Sequence, residues 1–370
     1  MNRRILFIND RLDGGGVELI MQSLCAYVLR QGEQVTIYSP DGDSAILAEK
    51  YGSQVKWKPW PFWRKQVKRF SPAHFAQKFC KIIFESFLLK FKKWDIVVSF
   101  KEGPSMLLAS KLRAGRKLAW VHTDFGTLHS SADCFPDTET ECRCMQGFDA
   151  VATVSQAACR GLKQLLGDPG NVKVVYNPID HSGIEAKAKE FCPEKPEGKC
   201  VLVSVGRLCD QKRPEMLIDI CNELNESFPL ELWLIGGGEL EDSLRKKLET
   251  ERIDCVKLLG QKSNPYPYIA AADWLVSSSE TESYGLTIQE ALILGVPVIA
   301  CACPAIRENM QEDFGLLSGM SGEELKEAVA KALSYKELRE NCARNIAARY
   351  DKNLLWEARL EKMYQFLIGE

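Results

Sequence analysis

The sequence predicts an α/β protein built from two Rossmann-like domains in succession. Its 370 residues are about twice the length of a usual domain. Short apolar runs alternate with helical patterns along most of the chain, which is typical of parallel sheets covered by helices. The alternation is interrupted between Asn177 and Gly198 by charged residues without clear periodicity. We therefore place an N-terminal domain at residues 1–178 and a C-terminal domain at residues 179–352.

The first domain opens with an apolar run at residues 4–9, a glycine-rich turn and a helical pattern. Gly15 and Gly16 in this turn would let the backbone approach a phosphate or a sugar without an intervening side chain. A dinucleotide fingerprint needs a third glycine where Leu19 stands, which argues against a nicotinamide or flavin cofactor. A plain tight turn is the alternative. The further strands predicted in this domain are residues 34–39, 95–100, 117–121, 148–154 and 172–176.

Residues 56–93 differ in composition from the rest of the chain. They contain eleven Lys or Arg, ten Trp or Phe and one acid, Glu85. Interleaved cations and rings suit an anionic membrane surface, where rings lie at headgroup depth and cations neutralise lipid phosphates. Single-stranded nucleic acid can use the same mixture, but the net charge of −2 argues against a nucleic-acid partner. An ordinary helix with a basic solvated side is the other alternative.

His122 follows the predicted strand at residues 117–121. In open α/β sheets, ligands bind outside the carboxyl ends of the strands, so this position is typical of a functional residue. A structural role is the alternative. The other three histidines, His74, His129 and His181, lie in the basic segment, an irregular loop and the linker, and we interpret them as incidental.

The second domain repeats the strand, loop and helix pattern with two cations after its first strand. Arg207 would act as a rigid fork for a phosphate and Lys212 as a point charge, while Arg213 is expected to be solvated. Further strands are predicted at residues 199–205, 230–235, 256–260, 273–278 and 314–317, with helices at 323–335 and 336–350.

Residues 277–299 contain the most informative spacing in the chain. They are predicted to form a strand, a polar loop with Glu282, a helix with Glu290 on its second turn, and a second strand. Eight helical residues separate the two carboxylates by roughly 12 Å, too far to act on one bond. Between them, the amides of residues 284–286 (Tyr284, Gly285 and Leu286) lie near a helix N-terminus, which favours phosphate. A nucleotide-sugar fits this arrangement, whereas two solvated glutamates on a surface helix are the alternative.

The start of the chain and its cysteines bear on the compartment. Two arginines followed by only four apolar residues are too short for a signal peptide or a membrane span. We therefore expect fourteen reduced cysteines in a cytoplasmic protein. Cys134, Cys142 and Cys144, with His129 nearby, are a possible zinc site, but C-x-C lacks the usual spacing and chance accumulation is favoured.

Taken in order, these motifs resemble the family 4 retaining glycosyltransferases, which have the two-Rossmann architecture called GT-B. The resemblance covers nearly the whole chain and rests on residues 15–18, His122, the Asn177–Asp180 linker, Arg207 with Lys212, and the Glu282 to Glu290 pair. It implies two domains facing each other across a cleft, with the N-terminal domain binding acceptor and the C-terminal domain binding donor. It also implies that a last helix, 353–370, crosses back to the N-terminal domain.

The resemblance assigns roles to the donor-binding residues. Glu290 would bind the ribose hydroxyls, and Glu282 the hydroxyls of the transferred sugar. The backbone of residues 284–286 would cradle the diphosphate together with Arg207 and Lys212. Many relatives have Phe where this chain has Tyr284. A further acid, Glu280, leaves open which acid contacts the sugar.

The residues of the first domain also receive roles by resemblance. Gly15 and Gly16 would cover the diphosphate, and His122 would lie against the reacting sugar, so His122 and Glu282 are the catalytic candidates. No cofactor and no divalent metal are expected to be required, because loop cations and a helix N-terminus can stabilise the leaving group.

The resemblance predicts a function and a location. The chain would move a sugar from a nucleotide-diphosphate sugar, with a UDP-hexose or UDP-N-acetylhexosamine favoured, to a saccharide or polyprenyl-linked acceptor in surface polysaccharide or glycolipid biosynthesis. It would lie peripherally on the inner face of the cytoplasmic membrane. A GT-B nucleotide-sugar epimerase and a non-catalytic nucleotide-sugar-binding protein are the alternatives.

If residues 56–93 bind an anionic membrane, the protein will sediment with vesicles containing anionic lipid and not with neutral vesicles. Added salt will release it, because screening weakens attraction between exposed charges. Co-sedimentation across a salt series measures this, and a lack of salt-sensitive binding contradicts the membrane assignment.

Overall fold

A computed structural model describes residues 2–9, 15–39, 56–58 and 93–370. The chain divides into two compact units, Met1–Pro178 with Glu357–Glu370 and Ile179–Trp356. Each unit contains one parallel sheet with helices packed on it, which confirms the predicted pair of Rossmann-like domains. Residues 59–92, which make up most of the basic and aromatic segment, lie outside the described residues.

The first unit has a seven-stranded sheet in the order β3-β2-β1-β4-β5-β6-β7. Its strands are β1 (Arg4–Ile8), β2 (Gln34–Tyr38), β3 (Lys56–Lys58), β4 (Trp94–Ser99), β5 (Ala114–Val121), β6 (Ala150–Thr153) and β7 (Val172–Val174). The helices among its described residues are α1 (Gly16–Arg30), α2 (Pro104–Ser110), α3 (Thr138–Gln146) and α4 (Gln156–Leu166), together with a last helix of the chain described below. Central strands are apolar on both faces because helices cover both sides of the sheet.

The second unit has a six-stranded sheet in the order β10-β9-β8-β11-β12-β13. Its strands are β8 (Cys200–Val205), β9 (Leu230–Ile235), β10 (Val256–Gly260), β11 (Trp274–Ser277), β12 (Val298–Cys301) and β13 (Gly315–Ser318). Its helices are α5 (His181–Ala188), α6 (Pro214–Asn225), α7 (Glu241–Glu251), α8 (Tyr266–Ala271), α9 (Leu286–Ile293), α10 (Pro304–Asn309), α11 (Gly322–Ser334) and α12 (Lys336–Arg349).

Local sequence signals explain where several helices begin and end. The hydroxyl of Ser155 accepts a hydrogen bond from the backbone of Ala158 at 3.0 Å and caps α4. Ser321 and Glu324 form a capping box at the start of α11. Gly295 follows α9 with φ of 74°, the left-handed conformation that glycine adopts without strain.

The last helix, α13 (Glu357–Ile368), belongs to the first unit. The predicted helix 353–370 therefore begins four residues later than expected, because Lys352–Leu355 form a 3-10 turn in the second unit. The ring of Phe366 on α13 packs edge-on against Trp120 of β5, with ring centres 5.0 Å apart. Polar contacts with α1 add to this packing, since the Tyr27 hydroxyl donates to Glu361. The helix thus supports the strand that carries His122.

Among the described helices, none combines the length and apolar character needed to cross a bilayer.

Gly236 follows β9 and lies against Gly206, which follows β8. Its φ is 149°, and a Cβ atom built on it would lie 1.8 Å from the carbonyl oxygen of Gly206. Gly206 immediately precedes Arg207, so this contact sets the position of a predicted phosphate-binding loop. Only glycine permits the two backbones to approach this closely.

We expect Gly236→Ala to destabilise the protein by about 2–3 kcal/mol, since the added methyl group must displace backbone. Gly198→Ala is the matched control, because Gly198 also has a positive φ, 69°, but nothing lies within 4 Å of its Cβ position. Thermal unfolding measures both. Equal effects would show that backbone strain, and not the contact with Gly206, determines the requirement for glycine.

Candidate functional site

The loops after β8 and β11 bring Lys212 and Glu282 into direct contact. The Lys212 ammonium forms an ion pair with Glu282 Oε1, and the Ser279 hydroxyl donates to the same oxygen at 2.8 Å. The side chains are 27% and 13% exposed, so water screens the pair less than a surface pair. The chain positions are 70 apart, but parallel strands direct their carboxyl ends to one edge of the sheet.

Arg207 lies in the same loop as Lys212 and is exposed. Arg207, Lys212 and Glu282 line one small cavity of the second unit together with Ser278, Ser279 and Thr287. The enclosed space is roughly 20 Å³, enough for one water molecule. A ligand of nucleotide size would therefore contact these side chains from the open side. Glu280 is exposed, so the acid that reaches the cation is Glu282.

Helix α9 begins beside this cavity, at Leu286. Gly285 precedes it with φ of 83°, and a Cβ atom there would lie 2.7 Å from Ile306 Cδ1. The Tyr284 side chain is buried, and its backbone carbonyl accepts a hydrogen bond from Asn309 at 3.1 Å. Residues 284–286 can therefore offer backbone amides, at the positive end of a helix dipole, and not the tyrosine ring.

Glu290 lies on the second turn of α9 and is not part of the cavity lined by Arg207 and Lys212. Burial raises the pKa of its carboxyl group to about 7, although the Tyr266 hydroxyl, 3.4 Å from Oε1, lowers it by favouring the charged form. Burial also raises the pKa of the Tyr266 phenol, with the Glu290 charge contributing. Glu282 therefore lines the cavity and Glu290 does not, although both belong to the second unit.

His122 lies at the carboxyl end of β5 in the first unit, and it is buried. Burial lowers the pKa of its imidazole below 6.5, against the opposing influence of the Glu102 carboxylate, so the ring is neutral at pH 7. Its Nε2 atom is buried without a hydrogen-bond partner among the described residues. A neutral ring with a free nitrogen can exchange a hydrogen bond with a ligand.

Glu102 holds the His122 loop in place. Its carboxylate accepts hydrogen bonds from the His122 backbone at 3.0 Å, from Thr123 at 2.5 Å and from Ser130 at 2.8 Å. Burial by itself would raise the pKa of Glu102, but hydrogen bonds from Thr123 and His122 lower it, so the buried carboxylate is ionised.

Gly15 and Gly16 lie at the start of α1. Gly15 is the residue before the helix and is exposed, and nothing lies within 4 Å of its Cβ position. The rest of the predicted turn, residues 10–14, lies outside the described residues. In the described part, no neighbouring atom demands a glycine at position 15, so ligand approach and a plain tight turn both stay predictions.

The cysteines predicted as a possible zinc site do not come together as one. Within the described residues, no group of three or more His, Cys, Asp or Glu side chains is placed to hold a metal ion. His129, interpreted as incidental, instead pairs with the buried Glu141, whose Oε2 lies 2.6 Å from His129 Nε2.

Sequence reasoning missed four residues that shape these sites. Glu102 follows strand β4, so the rule that identified His122 would also have found it. Ser279 and Tyr266 had no recognisable signal, because their roles depend on contacts between distant segments. The expectation that Arg213 is solvated was wrong, because its Nε atom donates to the Ser278 carbonyl oxygen at 2.7 Å and it is half-buried.

Comparison with protein families matches both halves of the chain. Residues 14–182 match the model described as Glycosyltransferase Family 4, and residues 186–349 match Glycosyl transferases group 1. The chain belongs to the GT4-type glycosyltransferases. Both matches include the candidate residues, with His122 in the first and Arg207, Lys212, Glu282 and Glu290 in the second.

Solved structures show that this GT4-type chain has the GT-B fold. It is similar to a crystal structure of HepE from Anabaena in complex with UDP and glucose, with 18% identity, full coverage of both chains and a TM-score of 0.74. It is also similar to sucrose-phosphate synthase from Thermosynechococcus elongatus, with 17% identity, 100% and 99% coverage and a TM-score of 0.79.

A curated relative from Campylobacter jejuni is 30% identical over 200 residues, which are 50% of this chain and 51% of the relative. It is N-acetylgalactosamine-N,N'-diacetylbacillosaminyl-diphospho-undecaprenol 4-alpha-N-acetylgalactosaminyltransferase. The GT4-type chain spans about half the length of curated relatives such as this one.

We expect Tyr266→Phe to raise the pKa of Glu290 above about 7, since the variant loses the hydroxyl that favours the carboxylate. Carbon-13 NMR titration of glutamate carboxyl groups measures this, and Glu290→Gln assigns the signal. Tyr268→Phe is the control, because Tyr268 packs against Trp233 and Phe191 instead. A Glu290 pKa near 4.5 in the unmodified protein contradicts the effect of burial.

Proposed function

We propose that this protein is a retaining glycosyltransferase that moves a sugar from a nucleotide-diphosphate sugar to a saccharide or lipid-linked acceptor. The observation that carries the proposal is the Lys212–Glu282 pair beside Arg207 at the start of α9, with Glu290 farther along the same helix. These groups match the parts of the donor. Cations and helix amides suit the diphosphate, and the two acids suit the hydroxyls at either end.

Charge decides how the diphosphate binds. Without donor, Lys212 is neutralised by Glu282, so Arg207 is the cation of this group that is exposed to an arriving phosphate. The partial positive charge at the start of α9, equivalent to about half a charge, adds to it. Once donor is bound, Lys212 can contact phosphate while Glu282 turns toward sugar hydroxyls, because a carboxylate accepts several hydrogen bonds. The ion pair thus keeps both side chains at the site before donor arrives. Because Glu282 can turn away from Lys212, its carboxylate does not block the phosphate.

Glu290 binds the ribose in this proposal. An ionised carboxylate can accept hydrogen bonds from two neighbouring hydroxyls, whereas a protonated one has fewer acceptor positions. Burial removes water from the Glu290 carboxylate and raises its pKa to about 7. The ribose hydroxyls replace that water as hydrogen-bond donors. The hydroxyl of Tyr266 supports the same charged form.

The donor is a UDP-sugar, with a hexose or an N-acetylhexosamine transferred. Support comes from the HepE structure, which contains UDP and glucose, and from the C. jejuni relative, which is named for an N-acetylgalactosaminyl group.

The acceptor is a saccharide or a polyprenyl-linked saccharide, used for a surface polysaccharide or glycolipid. The C. jejuni relative is named for a diphospho-undecaprenol substrate, and two relatives from Rhizobium meliloti are named for lipopolysaccharide core biosynthesis. A lipid-linked acceptor agrees with peripheral binding of an anionic membrane through residues 56–93, on the inner face of the cytoplasmic membrane.

In this proposal the first unit binds acceptor. Neutral His122 lies against the reacting sugar, and Gly15 and Gly16 cover the diphosphate. Arg207, Lys212 and the N-terminus of α9 stabilise the leaving group, so no divalent metal and no cofactor are required. The sugar is transferred with retention of its anomeric configuration.

The alternative functions make different demands on Glu282. An epimerase needs carboxylates that transfer protons around the anomeric carbon, but Lys212 and Ser279 both donate to Glu282 Oε1 and orient it as a hydrogen-bond acceptor. Incubation with donor alone would yield a new sugar if the protein were an epimerase. A non-catalytic protein would bind donor and show neither hydrolysis nor transfer with any extract-derived acceptor.

We expect Glu290→Ala and Lys212→Ala each to weaken donor binding by about 10- to 100-fold, because each loses a hydrogen bond to a charged group. A thermal-shift screen across UDP-, GDP- and ADP-sugars identifies the donor, and calorimetry measures the affinity.

Two exposed neighbours serve as matched controls. Glu280→Ala removes an acid from the same loop, and Lys246→Ala removes a cation from the surface of α7. Both should bind donor like the unmodified protein. Normal donor binding by Glu290→Ala and Lys212→Ala would refute the site assignment.

A further inference from the structure

Three consecutive residues, Gln211, Lys212 and Arg213, each contact the loop that follows β11. Lys212 forms the ion pair with Glu282 described above. Its two neighbours contact the same loop at residues 278–281, just before Glu282. The loop after β8 and the loop after β11 are therefore joined at several successive points.

Gln211 both accepts a hydrogen bond from this loop and donates one to it. Its backbone carbonyl oxygen accepts from the Glu280 backbone at 2.9 Å, and its side-chain amide donates to the Thr281 carbonyl oxygen at 3.0 Å. Two hydrogen bonds of opposite direction leave little freedom for the loops to slide past each other.

Arg213 and Ser278 form a second reciprocal pair. Arg213 Nε donates to the Ser278 carbonyl oxygen at 2.7 Å, while the Ser278 hydroxyl lies 2.7 Å from the Lys212 carbonyl oxygen and 3.2 Å from that of Arg213. Arg213 also donates through NH1 to the Met320 carbonyl oxygen at 2.7 Å, so the segment after β13 is joined as well.

The backbone of Arg213 lies in the left-handed region. Its φ is 47° and its ψ 48°, a left-handed conformation that costs free energy for any residue except glycine. Arg213 and Arg252 are the non-glycine residues with positive φ in the part of the chain that the structure describes. Arg213 makes three contacts through its side chain and carbonyl that hold it in this conformation.

We propose that Arg213, with Gln211, is a positioning residue that sets the Lys212–Glu282 pair for donor binding. This proposal rests on the proposed donor site. The side chain of Arg213 orders the two loops before donor arrives, so less freedom is lost on binding. Removing it leaves Lys212 and Glu282 in the chain but no longer holds them in place, and donor affinity falls.

The chain offers a matched control for the test. Arg252 follows α7 in the same left-handed conformation, with φ of 55° and ψ of 44°, but it is exposed. Arg213→Gly and Arg252→Gly make the same substitution and relieve the same kind of backbone strain. They differ in the side-chain contacts that are lost.

The first measurement is amide hydrogen exchange of residues 278–285 in the protein without ligand. We expect Arg213→Gly to speed exchange there by about tenfold or more, while Arg252→Gly leaves it unchanged. The second measurement is UDP binding by calorimetry. We expect Arg213→Gly to weaken it by about tenfold, a loss typical of impaired preorganisation, with Arg252→Gly unaffected. The unfolding temperatures of the two variants should remain close, which separates positioning from general stability.

Two milder variants cover the case in which Arg213→Gly fails to fold. Arg213→Lys keeps the charge but cannot reach both carbonyl oxygens as a planar fork, so it should recover part of the affinity. Gln211→Ala removes the hydrogen bond to Thr281 and should change exchange and UDP affinity in the same direction. Unchanged exchange and affinity in these variants overturn the proposal. Failure of the unmodified protein to bind UDP instead overturns the UDP donor, and exchange still decides the positioning role.

Discussion

An ion pair between two residues 70 positions apart joins two loops of the second unit, and the proposed donor site depends on it. Lys212 and Glu282 come from different βα loops, and their contact requires the parallel order in which β8 and β11 are neighbours. The pair joins a cation suited to phosphate and an acid suited to sugar hydroxyls. Its geometry depends on Ser279 at one side and on Arg213 and Gln211 at the other. The proposed donor site is thus a property of two joined loops and not of one motif.

Burial determines the charge of the other candidate groups. His122 is neutral because its ring is buried, while hydrogen bonds from Thr123 and the His122 backbone keep the buried Glu102 ionised. Glu290 has a pKa of about 7, because one long hydrogen bond from Tyr266 only partly offsets the effect of burial. The first unit thus offers a neutral hydrogen-bonding ring beside a fixed charge, and the second unit offers a carboxyl group that changes protonation near neutral pH.

Aromatic side chains connect the last helix, α13, to His122. Phe366 packs on Trp120, two residues before His122, and Trp120 also lies 5.2 Å from the ring of Phe100. Phe100 in turn contacts the His122 ring, with 5.1 Å between ring centres. The position of His122 therefore depends on a row of aromatic side chains that begins on α13, although no polar group of that helix is needed near the ring.

The sequence by itself determined the two-domain fold and the order of most strands, because apolar periodicity, helix caps and glycines act over a few positions, but strand β3 was not predicted. The strand before His122, the glycine at position 285 and the spacing of Glu282 and Glu290 were all readable in this way. Only the tertiary structure decided that Lys212 pairs with Glu282, that Arg213 is held by Ser278 and Met320, and that Glu102 supports His122. These contacts join segments that the sheet brings together, and their energies depend on distance and burial, which no local pattern in the chain records.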